Sequence, residues 1–130
     1  MAAFAPLARH KYCRLVTFRR NGAAVPTPMW FAVDGDRLYV KTETPTGKIR
    51  RIRNDPRVEI APCTALGRTV GATVRGRARL LDAGEAHAAE RVLRARYGIG
   101  RRLFATFVEP IFALRGQTSV YLEVVPAVGA

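Results

Sequence analysis

The sequence has few of the residues on which metal-dependent or hydrolytic catalysis depends. Only two of its 130 residues are histidine and two are cysteine, and neither His10 nor His87 lies among Cys or carboxylate residues at the spacing of metal ligands. The ten acidic residues are scattered without a close pair for acid–base work, and no GxSxG motif is present. If the protein is an enzyme, a bound cofactor therefore has to carry the chemistry.

Long apolar runs are also missing. Arg or Lys interrupts every stretch that approaches the ~18 residues of a membrane-spanning helix. The N-terminus lacks the basic start, apolar block and cleavage site of a secretion signal. Cys13 and Cys63 are far apart and belong to no CxxC motif, so we interpret them as buried thiols of a reduced compartment. These features predict a cytoplasmic protein without a membrane partner.

Positive charge is the component in excess. Lys and Arg total 22 against 10 Asp and Glu, which gives a formal net charge of +12. Such an excess attracts polyanions or phosphorylated ligands, although a solvated basic surface gives the same total. No repeated pattern of aromatic and basic residues is present, so nucleic-acid binding is not predicted. The length predicts one domain over residues 1–130.

Most of the chain has the patterns of β-structure. Alternating apolar residues and turn signals such as Asn21-Gly22 predict strands over residues 13–19, 24–33, 37–43, 57–63, 70–81 and 118–125. Pro26 and Pro28 cannot donate to a ladder, so the second strand is predicted to begin at an edge that faces either a ligand or solvent. In the fifth strand, Gly76 and Ala78 share one face with apolar residues. The other face carries a row of arginines, which we interpret as solvated or subunit-facing.

Residues 46–54 form the first segment with helical features. Ile49 and Ile52 are three apart, Thr46 is a candidate cap, and Asp55-Pro56 is a stop.

The second helical segment follows the fifth strand. Asp82 and Glu85 resemble a capping box, and they precede an apolar stripe that Gly98 is expected to end. A further short helix, bent by Pro110, is predicted from Leu103, Phe107, Ile111 and Leu114. The predicted fold class is α+β, mainly β: a barrel of about six antiparallel strands with two to three short helices.

The basic segment around Lys48 is the strongest local signal for function. Hydroxyls, a flexible backbone and an ammonium come together in Thr42, Thr44, Thr46, Gly47 and Lys48, and Arg50, Arg51 and Arg53 follow. Phosphate recognition uses this mixture, although the GxxxxGK spacing of a P-loop is absent and a solvated charge run is the alternative. Trp30, the only tryptophan, is either a core residue or a wall against a flat ring system.

The chain resembles the pyridoxamine-phosphate-oxidase-like split β-barrel superfamily. Residues 11–63 carry the resemblance through a P-x-W-F strand, then LYVKT, a Thr/Gly-Lys turn and N-D-P-R-V, and it continues through GATVRGRARLL to the YLEV strand. The similarity is closest to the actinobacterial branch called F420-dependent flavin/deazaflavin oxidoreductases, type B. It implies a split β-barrel and a homodimer with two cofactor sites at the subunit interface.

The resemblance also implies which residues surround the cofactor. The cofactor ring and ribityl chain would be contacted, largely through backbone, by Lys41 and Thr42. The phosphate would be held by Thr46, Gly47 and Lys48, with help from Arg51 or Arg53. The ring pocket would be lined by Pro28, Met29 and Trp30. An adjacent strand or the other subunit would contribute Pro62 and Cys63.

The function implied is transfer of a hydride from the reduced deazaflavin coenzyme F420 to an unsaturated small molecule, with no single catalytic side chain and with a proton from solvent. The +12 charge and the open stretch from Arg50 to Arg53 favour this cofactor, whose tail carries phosphate and glutamate. Two alternatives stay open. One is an FMN-binding oxidoreductase of the same fold, and the other is a carrier protein that binds a cofactor without turnover.

Overall fold

The chain forms a closed barrel of six antiparallel strands in a computed structural model. The structure describes residues 3–44, 47–107 and 118–127. The strands are β1 (Tyr12–Phe18), β2 (Ala24–Asp34), β3 (Arg37–Thr44), β4 (Arg57–Cys63), β5 (Val74–Leu80) and β6 (Thr118–Pro126), and the helices are α1 (Gly47–Asn54) and α2 (Ala83–Phe107). The order around the barrel is β1-β2-β3-β6-β5-β4, and β4 pairs with β1 to close it. The predicted α+β split barrel is confirmed.

Alternation along the strands fills the barrel interior. Every second residue of a strand points inward, and the largest inward side chains are fully buried: Leu15, Phe31, Leu38, Ile60 and Leu122. Full burial of such a side chain contributes about 1.5–3 kcal/mol. The turn after β1 is a tight one, as predicted, with Gly22 at φ 87°.

Strands β2 and β3 pair over only part of their length. Their ladder runs from Asp34↔Arg37 to Phe31↔Val40 and ends there. In the part of the chain that the structure describes, residues 24–30 of β2 pair with β1, and residues 41–44 of β3 pair with β6. Over these residues the two strands do not pair with each other, and we call the gap between them the seam. Pro26 and Pro28 lie on the β2 side of the seam, so the predicted edge position is confirmed.

Helix α1 follows the end of β3 and packs against β1 and β5. Ile49 and Ile52 are buried in the core, as their spacing predicts. The helix ends directly before Asp55, whose carboxylate accepts a hydrogen bond from the backbone N–H of Arg57. The proposed cap, Thr46, lies outside the described residues.

The N-terminal segment contributes to the core, although the sequence analysis predicts no element before residue 13. A single 3-10 turn over Ala5–Leu7 places Phe4 and Leu7 in the core, both fully buried. From α2, the Arg96 guanidinium donates to the backbone oxygens of Ala8 and His10. These contacts hold the segment against the barrel.

Helix α2 covers the outer face of β2 and β3, where Ala89 and Leu93 pack against Ala32 and Tyr39. Its predicted capping box is confirmed. The Glu85 N–H donates to the Asp82 carboxylate over 2.8 Å, and the Asp82 N–H donates to the Glu85 carboxylate over 3.2 Å.

The predicted end of this helix at Gly98 is wrong, because α2 continues to Phe107. Glycine inside a helix costs only about 1 kcal/mol relative to alanine and does not by itself end it. The separate helix predicted from Leu103 and Phe107 is therefore the second half of α2. Its remaining predicted residues, Pro110, Ile111 and Leu114, lie outside the described residues.

Strand β5 begins at Val74, so the prediction of a strand from residue 70 is too long. Residues 69 and 70 bond instead to the end of β4, through a Cys63↔Thr69 bridge and a hydrogen bond from the Val70 N–H to the Pro62 oxygen. From Val74 onward the predicted alternation is confirmed. Gly76 and Ala78 are buried, and the arginine row (Arg75, Arg77 and Arg79) is exposed. Gly76 is approached closely by β6, since a Cβ there would lie 2.8 Å from Val124 Cγ1 and from the Val125 oxygen.

Candidate functional site

Lys48 lies at the start of α1, where it reaches the end of β3. Its Nζ donates a hydrogen bond to the Oγ1 of Thr42 over 3.2 Å. Thr42 is buried, and its side chain points into the barrel, while Lys48 is half-buried. The structure therefore brings together one threonine hydroxyl and the ammonium of the predicted phosphate set, where β3 borders the seam.

Arg51 lies one turn after Lys48 and reaches β1. Its Nε donates to the Oγ1 of Thr17 over 2.6 Å, and Thr17 is buried. The guanidinium also folds back over the start of the helix, since a Cβ on Gly47 would lie 2.7 Å from Arg51 Nη1. We call Thr17, Thr42, Gly47, Lys48 and Arg51 the basic cluster. It spans the end of the barrel from β3 to β1.

The electrostatics of the basic cluster favour an anion. Burial lowers the pKa of the Arg51 guanidinium below its usual range, and the neighbouring positive charge of Arg19 lowers it further. Both effects mark an uncompensated positive charge in a partly desolvated place. In the described residues no carboxylate lies within ion-pair distance of Arg51 or Arg19. A bound phosphate or carboxylate would supply the missing negative charge.

The remaining predicted site residues border the seam from both sides. In the β2–β3 ladder, Phe31 pairs with Val40, so a continued ladder would set Trp30 opposite Lys41 and Met29 opposite Thr42. The pairing stops at this point. Two groups of residues that the sequence analysis places around one ring, one on β2 and one on β3, therefore face each other across the seam.

The side chains of these residues divide between the inside and the outside of the barrel. Met29 is buried in the core cluster, whereas Pro28 is exposed and Trp30 is half-buried. On β3, Thr42 points inward and Lys41 points outward beneath α2, where its Nζ lies 3.8 Å from a carboxylate oxygen of Glu90. The Lys41 side chain is thus engaged with α2, which agrees with a cofactor contact made through backbone.

Pro62 and Cys63 lie at the end of β4, on the other side of β1 from the β2 residues. In the register, Pro62 is opposite Cys13 and Cys63 is opposite Tyr12. Both residues are buried within this chain. Burial raises the pKa of the Cys63 thiol, and the charge of Arg14 partly offsets this. The structure therefore separates these two residues from Met29 and Trp30 of β2 by the width of β1.

Arg53 and Thr46 complete the predicted set. Arg53 is exposed on α1, and it is two residues from Arg51, so the two side chains leave the helix in nearly opposite directions. Of the two arginines considered for the phosphate, only Arg51 joins the basic cluster. Thr46 lies outside the described residues.

Sequence reasoning missed Thr17, which belongs to the basic cluster, and Arg19, whose charge acts on Arg51. The predicted strand over 13–19 contained a signal for the first, because its alternation places Thr17 inward with Cys13 and Leu15. A polar side chain in that row requires a hydrogen-bond partner, and Arg51 is that partner. Nothing in the local sequence indicates that Arg19 lies near Arg51.

The donors of the basic cluster fit an anionic cofactor better than a metal. An ammonium, a guanidinium and two hydroxyls are donors for phosphate oxygens. Within residues 3–44, 47–107 and 118–127, no group of three His, Cys, Asp or Glu side chains is arranged to hold a metal ion. In the same ranges, no helix is long and apolar enough to cross a membrane.

A groove of about 430 Å³ lies near the start of β5 and the end of β6, away from the basic cluster. It is lined by Ala3, Thr73, Val74, Arg75, Pro126 and Ala127. None of the predicted site residues lies in it, and it has one charged side chain.

The fold recurs in solved structures whose names refer to different bound groups. A protein named F420 reductase is 25% identical, with a TM-score of 0.61 and coverage of 96% of this chain and 93% of that chain. An FAD-binding protein from Mesorhizobium loti is 18% identical, with a TM-score of 0.64 and coverage of 93% and 84%. A haem storage protein from Vibrio cholerae is 15% identical, with a TM-score of 0.60 and the same coverage.

No curated protein matches the sequence. The sequence does match a family description, and the match extends over most of the barrel, including the seam and the whole of the basic cluster. Residues 1–112 match the family described as pyridoxamine 5'-phosphate oxidase. The chain belongs to the pyridoxamine 5'-phosphate oxidase family.

Proposed function

We propose that this protein is an oxidoreductase that binds coenzyme F420 and transfers a hydride from the reduced cofactor to an unsaturated small molecule. The observation that carries the proposal is the basic cluster at the end of the seam. Lys48 and Arg51 present positive charge there from one helix, and each is held by a buried threonine hydroxyl. A family of cofactor-binding proteins and a 25% identical protein named F420 reductase support the same conclusion.

The phosphate of the cofactor would bind at the basic cluster. Lys48 would donate to its oxygens while keeping the Thr42 hydroxyl as a second neighbour, and Arg51 would donate through its terminal nitrogens, since its Nε already bonds to Thr17. Charge-assisted bonds of this kind contribute about 1.5–3 kcal/mol each. Gly47 leaves room for an anion at the start of α1, because it has no Cβ beside the Arg51 guanidinium.

The flat ring of the cofactor would lie along the seam. The polar edge of the ring system would face the edges of β2 and β3 where the two strands no longer pair. Trp30, half-buried beside the point where the ladder ends, would form a wall against the ring. Met29 would support this wall from inside the barrel, where it packs in the core.

The reduced deazaflavin supplies the hydride when it is bound. The residues of this chain bind, orient and partly desolvate the cofactor, and we assign no side chain a catalytic role. Solvent supplies the proton that accompanies the hydride. The reaction should therefore depend on the residues of the seam and basic cluster mainly through cofactor occupancy.

The choice of coenzyme F420 over FMN is based on charge. Arg19 adds a positive charge beside Arg51, and Arg50 and Arg53 are exposed on α1. A cofactor tail that carries carboxylates in addition to phosphate would be attracted by this surface, whereas the single phosphate of FMN needs less of it.

The proposal includes a cytoplasmic homodimer with two cofactor sites at the subunit interface. Among the described residues, no strand pairs with β2 or β3 across the seam, and a second copy would cover the ring there and exclude water from it. Contacts from the partner near the exposed Pro28 would complete the pocket.

Titration of the purified protein with coenzyme F420 and separately with FMN, followed by fluorescence, tests the proposal. We expect micromolar or tighter binding of the deazaflavin and much weaker binding of FMN. Tight binding of FMN alone would assign the protein to flavin chemistry, and binding of neither would remove the oxidoreductase function. Deazaflavin binding without reduction of any compound in a broad panel of unsaturated substrates would indicate a carrier.

A further inference from the structure

A second polar cluster lies on the outer face of the barrel, beneath α2. Its centre is Glu90, whose carboxylate accepts hydrogen bonds from the hydroxyl of Tyr121 on β6 and, over 3.0 Å, from Arg94 Nε one turn along the helix. Lys41 Nζ lies 3.8 Å from the same carboxylate and 5.5 Å from the centre of the Tyr121 ring. The side chains of Lys41 and Glu90 are only 13% and 15% exposed. Neither the sequence patterns nor the family resemblance assigns a role to Glu90 or Tyr121.

This second cluster contacts β3 at the place where the seam begins. Lys41 and Tyr121 are directly opposite each other in the β3–β6 ladder. Lys41 is also the first residue of β3 beyond the last pair with β2, Phe31↔Val40. Glu90 therefore contacts both strands at the point where β3 loses its neighbour and its open edge begins.

Lys41 connects the outer cluster to the basic cluster through one peptide bond. Adjacent residues of a strand point to opposite faces, so Lys41 is held outside by Glu90 while Thr42 accepts the hydrogen bond of Lys48 inside. A displacement of Lys41 would move the Thr42 hydroxyl and the backbone groups that line the seam.

We propose that Glu90 is a positioning residue for the cofactor site: through Lys41 and Tyr121 it fixes the open edge of β3 and the Thr42 hydroxyl. The inference rests on the proposed function, because its consequence is measured on the cofactor. A partly buried ion pair holds two groups at a defined separation, and removal of the carboxylate leaves the Lys41 ammonium without this attraction in a place of low exposure. The strand edge then has more freedom, and ordering it costs binding free energy.

The test uses Glu90→Gln, which keeps the shape of the side chain and removes its charge. Glu85→Gln is the matched control, because Glu85 lies on the same helix and its carboxylate also bonds to a strand arginine, Arg79, over 2.6 Å. We expect the dissociation constant for coenzyme F420 to rise about tenfold in Glu90→Gln. In Glu85→Gln it should stay within about twofold, since that pair is more exposed and involves β5, which is separated from β3 by β6.

Two further measurements keep the inference distinct from a loss of folding. Tyr121→Phe removes only the hydroxyl that bonds to Glu90, and we expect a smaller rise in the same dissociation constant. Amide hydrogen exchange in the protein without cofactor should become faster at residues 41–44 in Glu90→Gln and should stay unchanged there in Glu85→Gln. This readout requires no cofactor binding.

The outcomes separate the inference from the function it rests on. Wild-type affinity for coenzyme F420 in Glu90→Gln, with unchanged exchange at residues 41–44, would overturn the positioning role and leave the proposed function standing. Equal weakening in Glu85→Gln would also overturn it, since a general effect of α2 would then suffice. Failure of the wild-type protein to bind the cofactor would overturn the function and the positioning role together.

Discussion

Arg51 of α1 and Thr17 of β1 are joined by a hydrogen bond of 2.6 Å from Nε to Oγ1, across 34 residues of sequence. The bond attaches the helix that carries Lys48 to the strand on the far side of the barrel end. It also uses the one guanidinium nitrogen that is not needed for bidentate contact with an anion. The arrangement leaves the terminal nitrogens of Arg51 without a role in this bond, on the same helix that carries Lys48, and it ties α1 to β1.

Lys48→Ala should weaken the binding of coenzyme F420 by about 1.5–3 kcal/mol, roughly ten- to 150-fold, because a charge-assisted bond to the phosphate is lost. The rate per bound cofactor should stay close to that of the wild type, since Lys48 has no assigned part in the hydride transfer. Fluorescence titration and single-turnover rates at saturating cofactor measure the two quantities.

The control for this variant is Arg50→Ala. Arg50 lies on the same helix, and its side chain is exposed, so the loss of its charge should change the dissociation constant much less. Unchanged affinity in Lys48→Ala would show that the phosphate assignment is wrong.

Gly47→Ala should displace the Arg51 guanidinium. The added Cβ would lie 2.7 Å from Arg51 Nη1, which is closer than such atoms approach, so the guanidinium has to shift from the position in which it bonds to Thr17. We expect weaker cofactor binding at nearly unchanged thermal stability, because the arginine side chain is flexible and alanine favours the helix. Gly84→Ala near the start of α2 is the matched control. Its Cβ would meet Asp82 at an ordinary 3.6 Å, and unchanged binding is expected there.

Gly76→Ala should destabilise the barrel without a specific effect on the site. Its Cβ would lie 2.8 Å from a side-chain atom of Val124 and 2.8 Å from the backbone oxygen of Val125, and the backbone cannot move aside without disturbing the β5–β6 ladder. Overpacking of this kind costs about 1–3 kcal/mol. Urea unfolding measures this loss in the free energy of unfolding. Arg75→Ala, an exposed neighbour on the same strand, should change stability by no more than about 0.5 kcal/mol.

The acid stability of the protein should depend partly on Glu85. Hydrogen bonds from the Arg79 side chain and the Asp82 backbone lower the pKa of Glu85 from its ordinary 4.5 to about 2. Because the folded-state pKa is below the unfolded one, Glu85 stabilises the protein above pH 4.5, and this contribution is lost as the pH falls towards 2.

Urea midpoints should therefore fall less between these two pH values in Glu85→Gln than in the wild type. Gln can retain the capping hydrogen bond to the Asp82 N–H, so the comparison isolates the charge. An equal fall of the urea midpoint in both proteins over this pH range would contradict the low pKa of Glu85.

The two cysteine thiols should be unreactive in the folded protein. Burial raises the pKa of Cys13 strongly and that of Cys63 as well, and the thiolate is the form that reacts. A colorimetric thiol reagent should titrate both groups on unfolding and neither in native buffer. Rapid reaction of one equivalent in the native protein would show that Cys63, at 4% exposure, becomes accessible.

Much of the fold could be predicted because the local signals were redundant. The strand ending at Phe18 and the one beginning at Ala24 flank an Asn21-Gly22 turn, and alternation fixed which residues face inward. The capping box at Asp82 and Glu85 identified the start of α2. The end of α2 could not be found in the same way, since Gly98 lowers helix propensity only slightly and the packing of the surrounding fold decides whether a helix continues.

In the candidate site, too, contacts between residues close in sequence could be predicted and contacts between distant segments could not. Lys48 and Thr42 are six residues apart, and a basic turn after a strand was sufficient to bring them together in a hypothesis. Contacts between distant segments, such as Arg51 with Thr17 or Glu90 with Lys41, depend on the barrel closing in a particular register, which no local pattern encodes. The position of the seam itself depended on where the β2–β3 ladder ends.

The two prolines of β2 have a consequence for how molecules of this protein meet each other. Pro26 and Pro28 are two residues apart, so their missing N–H groups fall on the same edge, and a stable ladder with β1 places that edge on the seam. A strand from another molecule that docked there would find no donor at either position. Because this edge has no paired strand among the described residues, the prolines make it a poor template for strand addition and aggregation, whereas a small planar molecule does not need their N–H groups.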